Sequence, residues 1–274
     1  MRIPRAWSKA EDEVEARGKR FHLVAWGWGD DVAAAGRLAA ERLARLVERV
    51  RRGERFPDLY GYGLERPLRE EVVQTIGEAG VVTRNVYGAL VLNTARLLFI
   101  DVDLPEGGPS LGQRVLGLFG RRPADPLERL REALRAVAPL TFRIYRTAAG
   151  LRALGVDREY EPGGQAAEAL MTHAGADPRY VKLCRAQRSF RARLTPKPWR
   201  CGAPHRPPGE HPRSDPDLVA RFEAWRREYE AAAAGWATCE FVETIGAGHP
   251  DEAAAGLIAL HDRLTRAGER LPLA

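Results

Sequence analysis

The chain has 274 residues, 45% of them hydrophobic and 29% charged, with a formal net charge of +6. That length buries a sizeable core, and that composition excludes a disordered or fibrous polymer. No apolar run approaches the roughly 18 residues of a membrane span, and the start, MRIPRAWSKAEDEVEARGKR, lacks the apolar stretch of a secretion signal. Three scattered cysteines, Cys184, Cys201 and Cys239, make no disulfide framework. A cytoplasmic protein with no membrane association is the expectation.

In chain order, FHLVAWGW over 21–28 reads as a strand closed by Gly29. A helix follows over 31–52, with Leu43, Leu46, Val47 and Val50 on its inner stripe. After a loop, strands are expected over 69–76, 81–92 and 96–104, the last two joined as a hairpin through Asn93-Thr94-Ala95. The Gly- and Pro-rich stretch 105–126 reads as a long loop with a short helix. Asp125-Pro126 then starts a helix whose stripe is Leu127, Leu130, Leu134 and Val137. A strand over 141–147 turns through Ala148-Ala149-Gly150 into a second one running to about Val156.

Helices are expected over 165–173 and 178–187. The six prolines between 196 and 212 dictate irregular or extended chain. Ser214 and Asp217 have capping-box spacing before a helix carrying Leu218, Phe222, Trp225 and Tyr229, and a strand over 236–244 and a helix over 250–266 complete the chain. Adjacent strands with helices between groups predict a single α+β domain over 1–274. Its expected form is a mixed, largely antiparallel sheet flanked by helices, with an RRM-like core at 70–160 and a helical, basic elaboration over 161–274.

Three constellations carry possible chemistry. In LLFIDVDLP, Asp101 and Asp103 sit two apart on a strand whose lead-in, Leu97-Leu98-Phe99-Ile100, is apolar on both faces and so reads as central. They therefore share a face, with Cα atoms roughly 6.5 Å apart. Two hard oxygen ligands on a rigid face suit Mg²⁺ or Mn²⁺; a structural ion-pair cluster with Arg143 and Arg152 answers the same pattern. In FRIYRTAAGLR, Arg143 and Thr147 share a face, and Gly150 and Arg152 follow the turn. Arg143, Thr147 and Arg152 are the candidate phosphate contacts, against the reading of an ordinary exposed hairpin.

Between Arg179 and Arg213 lie ten Lys or Arg residues and one acidic residue, Glu210. Arg179, Lys182, Arg185 and Arg188 step by three along a helix. Arg191, Arg193, Lys197 and Arg200 follow, interleaved with Phe190 and Trp199. Charge mixed with aromatics is the composition of single-strand binders, and a solvated face with inward rings is the bland alternative. Cys201, His205 and His211 have no structural zinc spacing. Cys184 reads as a core residue, and His249 as a helix-end group.

The first two constellations together resemble the archaeo-eukaryotic primase and primase-polymerase superfamily over about residues 70–160. There a DxD strand binds catalytic metal, and a later strand–turn–strand carries a Ser/Thr-Gly-x-His-like element that contacts nucleotide phosphates. LLFIDVDLP is similar to the first element and YRTAAGLRAL to the second, with Arg152 where the family usually has histidine. The resemblance implies a divalent-metal-dependent nucleotidyl or phosphoryl transferase acting on nucleotides or nucleic acid, with Asp101 and Asp103 as catalytic metal ligands. A third carboxylate is required, and Asp157, Glu240 and Glu243 are the candidates. A non-catalytic nucleic-acid binder using residues 179–200 is the alternative, as is a protein without catalysis. A haloacid-dehalogenase-type phosphohydrolase also uses DxD, but Leu104-Pro105 and the hairpins count against it.

Overall fold

A computed structural model describes residues 1–54, 66–104, 125–204 and 206–274. The expected loops over 55–65 and 105–124, the short helix within the latter, and His205 lie outside the described residues.

The first unit is a hairpin of β1 (Ala6–Ala16) and β2 (Lys19–Gly29), in register from Ala6 opposite Gly29 to Ala16 opposite Lys19. Its two-residue turn, Arg17-Gly18, has φ of 53° and 70°, the left-handed geometry that matches strand twist. β1 leaves little trace in the sequence, because only Trp7 and Val14 are buried along it, too sparse a pattern to reveal a strand. Helix α1 (Val32–Arg52) is N-capped by the Asp31 side chain, which accepts from the Ala34 N–H at 2.7 Å, and it ends at Gly53 in the left-handed region. Val47 and Val50 pack with Val14 and Leu23 into a small core.

One four-stranded sheet has the order β3 (Glu71–Ile76), β4 (Gly80–Arg84), β5 (Leu90–Thr94), β9 (Phe190–Arg193). The other has the order β10 (Cys239–Ile245), β7 (Phe142–Thr147), β8 (Gly150–Gly155), β6 (Leu98–Asp103), and every pairing within both is antiparallel. The helices are α2 (Pro126–Arg135), α3 (Gln165–His173), α4 (Pro178–Gln187), α5 (Pro216–Ala233) and α6 (Glu252–Thr265). The chain is thus α+β as the sequence implies, but its described strands form three sheets rather than one.

Two local facts separate the sheets. The expected strand over 81–92 is broken at Asn85, whose side chain accepts from the Tyr87 and Ala89 N–H groups at 3.0 and 3.1 Å, while Gly88 adopts φ 88°. β4 and β5 are therefore the hairpin. The link at 93–95 instead passes from one sheet to the other, since β5 pairs with β4 and β9 while β6 pairs with β8. Further along, Asp215 rather than Ser214 caps α5, because Pro216 occupies its first turn.

Strand β6 proves to be an edge strand, although its apolar first half, Leu98-Phe99-Ile100, reads as central. Leu98, Phe99 and Ile100 are wholly buried. Its free edge is closed by other elements: the Asp177 N–H donates to the Asp101 carbonyl at 3.1 Å, and the Tyr180 hydroxyl lies 3.3 Å from the Phe99 carbonyl and 2.9 Å from the Arg191 carbonyl. Tyr180 thereby ties β6 to β9. At the far end of β6, Gly150 faces Asp103, and a Cβ there would lie 2.0 Å from the Val102 carbonyl oxygen. Gly150→Ala is expected to cost about 1–3 kcal/mol, read as a lowered midpoint in thermal or urea denaturation.

Candidate functional site

Strand register assembles the site. Asp101, Arg152 and Tyr145 stand directly opposite one another across β6, β8 and β7, and Asp103, Gly150 and Thr147 form the next row. Alternation puts all of them on one face. Onto that face α6 lays His261, its ring 5.0 Å from that of Tyr145 and 5.7 Å from that of Phe99.

Arg152 is buried, and its guanidinium grips Asp101 bidentately, Nε to Oδ1 at 2.7 Å and Nη2 to Oδ2 at 3.1 Å. Its Nη1 donates to the Arg193 carbonyl at 3.1 Å and lies 3.3 Å from His261 Nε2. His261 Nδ1 is 2.9 Å from Asp262 Oδ1, and Asp262 also accepts from the Tyr145 hydroxyl at 2.7 Å and Arg143 Nη2 at 2.6 Å. An arginine donor at Nε2 and a carboxylate at Nδ1 assign the neutral Nδ1–H tautomer. Burial alone would pull the Arg152 guanidinium down, but Asp101 more than offsets it and the group ends above its ordinary range. Burial pushes the His261 imidazole down, with Arg152 acting in the same sense.

Beside this network opens a cleft of about 750 Å³. Its acidic side is Asp101, Asp103 and Asp177. Its basic side is Arg179 and Lys182 from α4, Arg193 from β9, and Lys197 and Arg200 from the following turn, with Arg152 at the floor. Asp103 is exposed, and its carboxyl is raised by partial burial, then by the Asp177 and Asp101 charges. Arg193 is pushed down to about 10, by burial first and then by the neighbouring Arg152. Its Nε is buried and, among the described residues, donates to no acceptor.

The sequence-predicted residues divide between the cleft and elsewhere. Asp101, Asp103, Thr147, Arg152, Arg179, Lys182, Arg193, Lys197 and Arg200 line it. Arg143 turns instead to Asp262 and lies over the Phe241 ring at 4.3 Å. Arg185 pairs with Glu168, and Arg188 is the left-handed cap residue of α4. Steps of three advance the face by about 60° each, so only the first two members of that ridge reach the cleft. Arg191 is buried against Glu70 at 2.8 and 2.9 Å. Phe190 is wholly buried, whereas Trp199, beside the cleft-lining Arg200, is 39% exposed.

None of the expected third carboxylates stands near the pair. Asp157 accepts from the Thr141 N–H, Glu243 pairs with Arg131, and Glu240 is opposite Arg146 on the other face. The acidic neighbour is Asp177, the N-cap of α4, whose Oδ1 accepts from the Arg179 N–H at 3.0 Å. The signal for it was Asp-Pro before an amphipathic run, which reads as a helix start and conceals any second role. His261 and Asp262 were equally hidden inside a helical pattern. No three His, Cys, Asp or Glu side chains converge on a metal-sized site among the described residues.

Comparison with known protein families, curated proteins and solved structures finds no match to this chain. Its function therefore has to be argued from the cleft.

The buried imidazole gives a pH signature. In the unfolded chain a histidine ionises near 6.5, whereas in the fold His261 resists protonation. Below about 6.5 the unfolded state binds a proton that the native state does not, so stability falls with falling pH, by at most about 1.4 kcal/mol per unit. Urea unfolding between pH 5 and 8 is expected to show this slope, and His261→Gln is expected to flatten it.

Proposed function

We propose that the cleft binds the phosphates of a nucleotide or nucleic acid. The observation that carries this reading is the convergence of Arg179, Lys182, Arg193, Lys197 and Arg200, from a helix, a strand and a turn, on one concavity. A basic wall along a cleft attracts and holds phosphates, and here it faces the Asp103 and Asp177 carboxylates on the opposite side. Arg193, largely desolvated and beside another guanidinium, with a buried Nε that donates to no acceptor among the described residues, is the group that gains most from an anion. Arg152 does not compete for that role, since Asp101 already neutralises it. A reducing, cytoplasmic setting accords with three buried free thiols, and no helix among the described residues is long and apolar enough to cross a membrane.

A second reading, a metal-dependent nucleotidyl or phosphoryl transferase of the primase-polymerase kind, draws support from Asp103. Its carboxyl is raised by partial burial first and then by the Asp177 and Asp101 charges, and Mg²⁺ or Mn²⁺ would relieve that second, electrostatic part. Asp101, Asp103 and Asp177 would have to converge to hold the ion, and among the described residues they do not form such a group. The bidentate grip of Arg152 on both Asp101 oxygens fits that role poorly, and the cation would have to displace it.

Two measurements separate the readings. Arg179→Gln/Lys182→Gln is expected to weaken binding of a labelled oligonucleotide about tenfold and to reduce the slope of log K against log salt by roughly 1.4. Arg185→Gln, outside the cleft, is expected to leave both unchanged; equal effects from both variants would remove the cleft from the account. A rise in melting temperature with MnCl₂ in the wild type, absent in Asp103→Asn, would instead favour the transferase.

A further inference from the structure

We infer that the ligand of the cleft is a single strand, whose bases stack on Trp199 while its phosphates lie along the basic wall; this deepens the phosphate-binding reading and rests on it. Lys197 and Arg200 line the cleft, and both flank Trp199 in one short segment. The segment is a 3₁₀ turn, Pro198–Arg200, fixed by the Arg200 N–H to the Lys197 carbonyl at 2.9 Å and by the Cys201 and Ala203 N–H groups to the Pro198 carbonyl at 3.2 and 3.0 Å. Pro198 itself is buried, so the turn anchors inward and presents its tryptophan outward.

Trp199 is 39% exposed, in contrast to the buried Phe190, Phe222, Trp225 and Tyr229. The Tyr87 ring meets it edge-on, with centroids 5.2 Å apart at 83°. Cations flank both rings: the Lys197 ammonium is 5.5 Å from the Trp199 centroid, and the Arg206 guanidinium 5.7 Å from that of Tyr87. An aromatic pair next to the cleft-lining Lys197 and Arg200 matches the way proteins hold single strands: charge tracks the backbone and rings stack on bases, with little regard to sequence. A duplex keeps its bases stacked on one another, beyond reach of a surface ring. A mononucleotide has too few phosphates to engage α4, β9 and the turn together.

The test compares fluorescence anisotropy of labelled oligo(dT), oligo(rU), an abasic oligonucleotide of equal length, and a duplex. The wild-type protein is expected to bind both single strands at least roughly tenfold more tightly than the abasic chain and the duplex. Trp199→Ala is expected to erase the advantage over the abasic chain while leaving the salt slope unchanged, and Trp199→Phe to retain part of it. Circular dichroism and the melting temperature of the variants check folding. Salt-dependent binding that is equal for oligo(dT) and the abasic chain would overturn base stacking and leave phosphate binding standing. Binding of none of the four would overturn both. Tighter binding to duplex would overturn the single-strand assignment alone.

Discussion

The buried guanidinium of Arg152 is the constraint on which the rest of the structure turns. It directs hydrogen bonds to four acceptors on three separate elements: two oxygens of Asp101 on β6, the Arg193 carbonyl on β9 and His261 on α6. β6 and β9 belong to different sheets, so a single side chain sets the spacing of the two sheets and the seat of the helix that covers them. A desolvated ion pair contributes little net stability against an apolar replacement. Its value lies in specificity, because a planar fork with fixed donors tolerates only one arrangement of its acceptors.

That arrangement divides the charges of the region into two populations. On the floor and behind it, charges are matched within the protein: Asp101 with Arg152, and Asp262 with Arg143, Tyr145 and His261. On the walls, Arg179 and Lys182 are exposed along α4, and Arg193 is pressed against the like charge of Arg152. The internally matched set gives rigidity, and the wall gives attraction for an anion. The paired aspartates, which in isolation look like metal ligands, part company: Asp101 belongs to the matched floor, and Asp103 lies exposed beside Asp177 outside both populations.

Much of this was legible in the sequence. Regular apolar spacing marks α1, α2 and α5, and DxD and the Thr-x-x-Gly-x-Arg turn lead to residues that do share a face. What was not legible depends on long-range pairing. The apolar run Leu97-Leu98-Phe99-Ile100 suggests a central strand, because composition reports burial and not hydrogen-bond partners; Tyr180 and Asp177, about eighty residues away, cover the edge instead. The basic run 179–200 looked uniform, yet helical drift and the strand at Phe190–Arg193 sort its members. Arg191 points to Glu70, Arg193 to the cleft, and Arg185 to Glu168. His261 and Asp262 carried no signal, since a helix position beneath a sheet is known only once the sheet is.

The central claim is that the cleft recognises phosphate through its own cations, with Asp101 committed to Arg152. Binding of a labelled single strand in excess EDTA, against the same titration in millimolar Mg²⁺ or Mn²⁺, tests it most directly. Equal affinity is expected in both, apart from the general weakening that added salt brings. Binding that appears only with the divalent ion would contradict it and make the carboxylates the site.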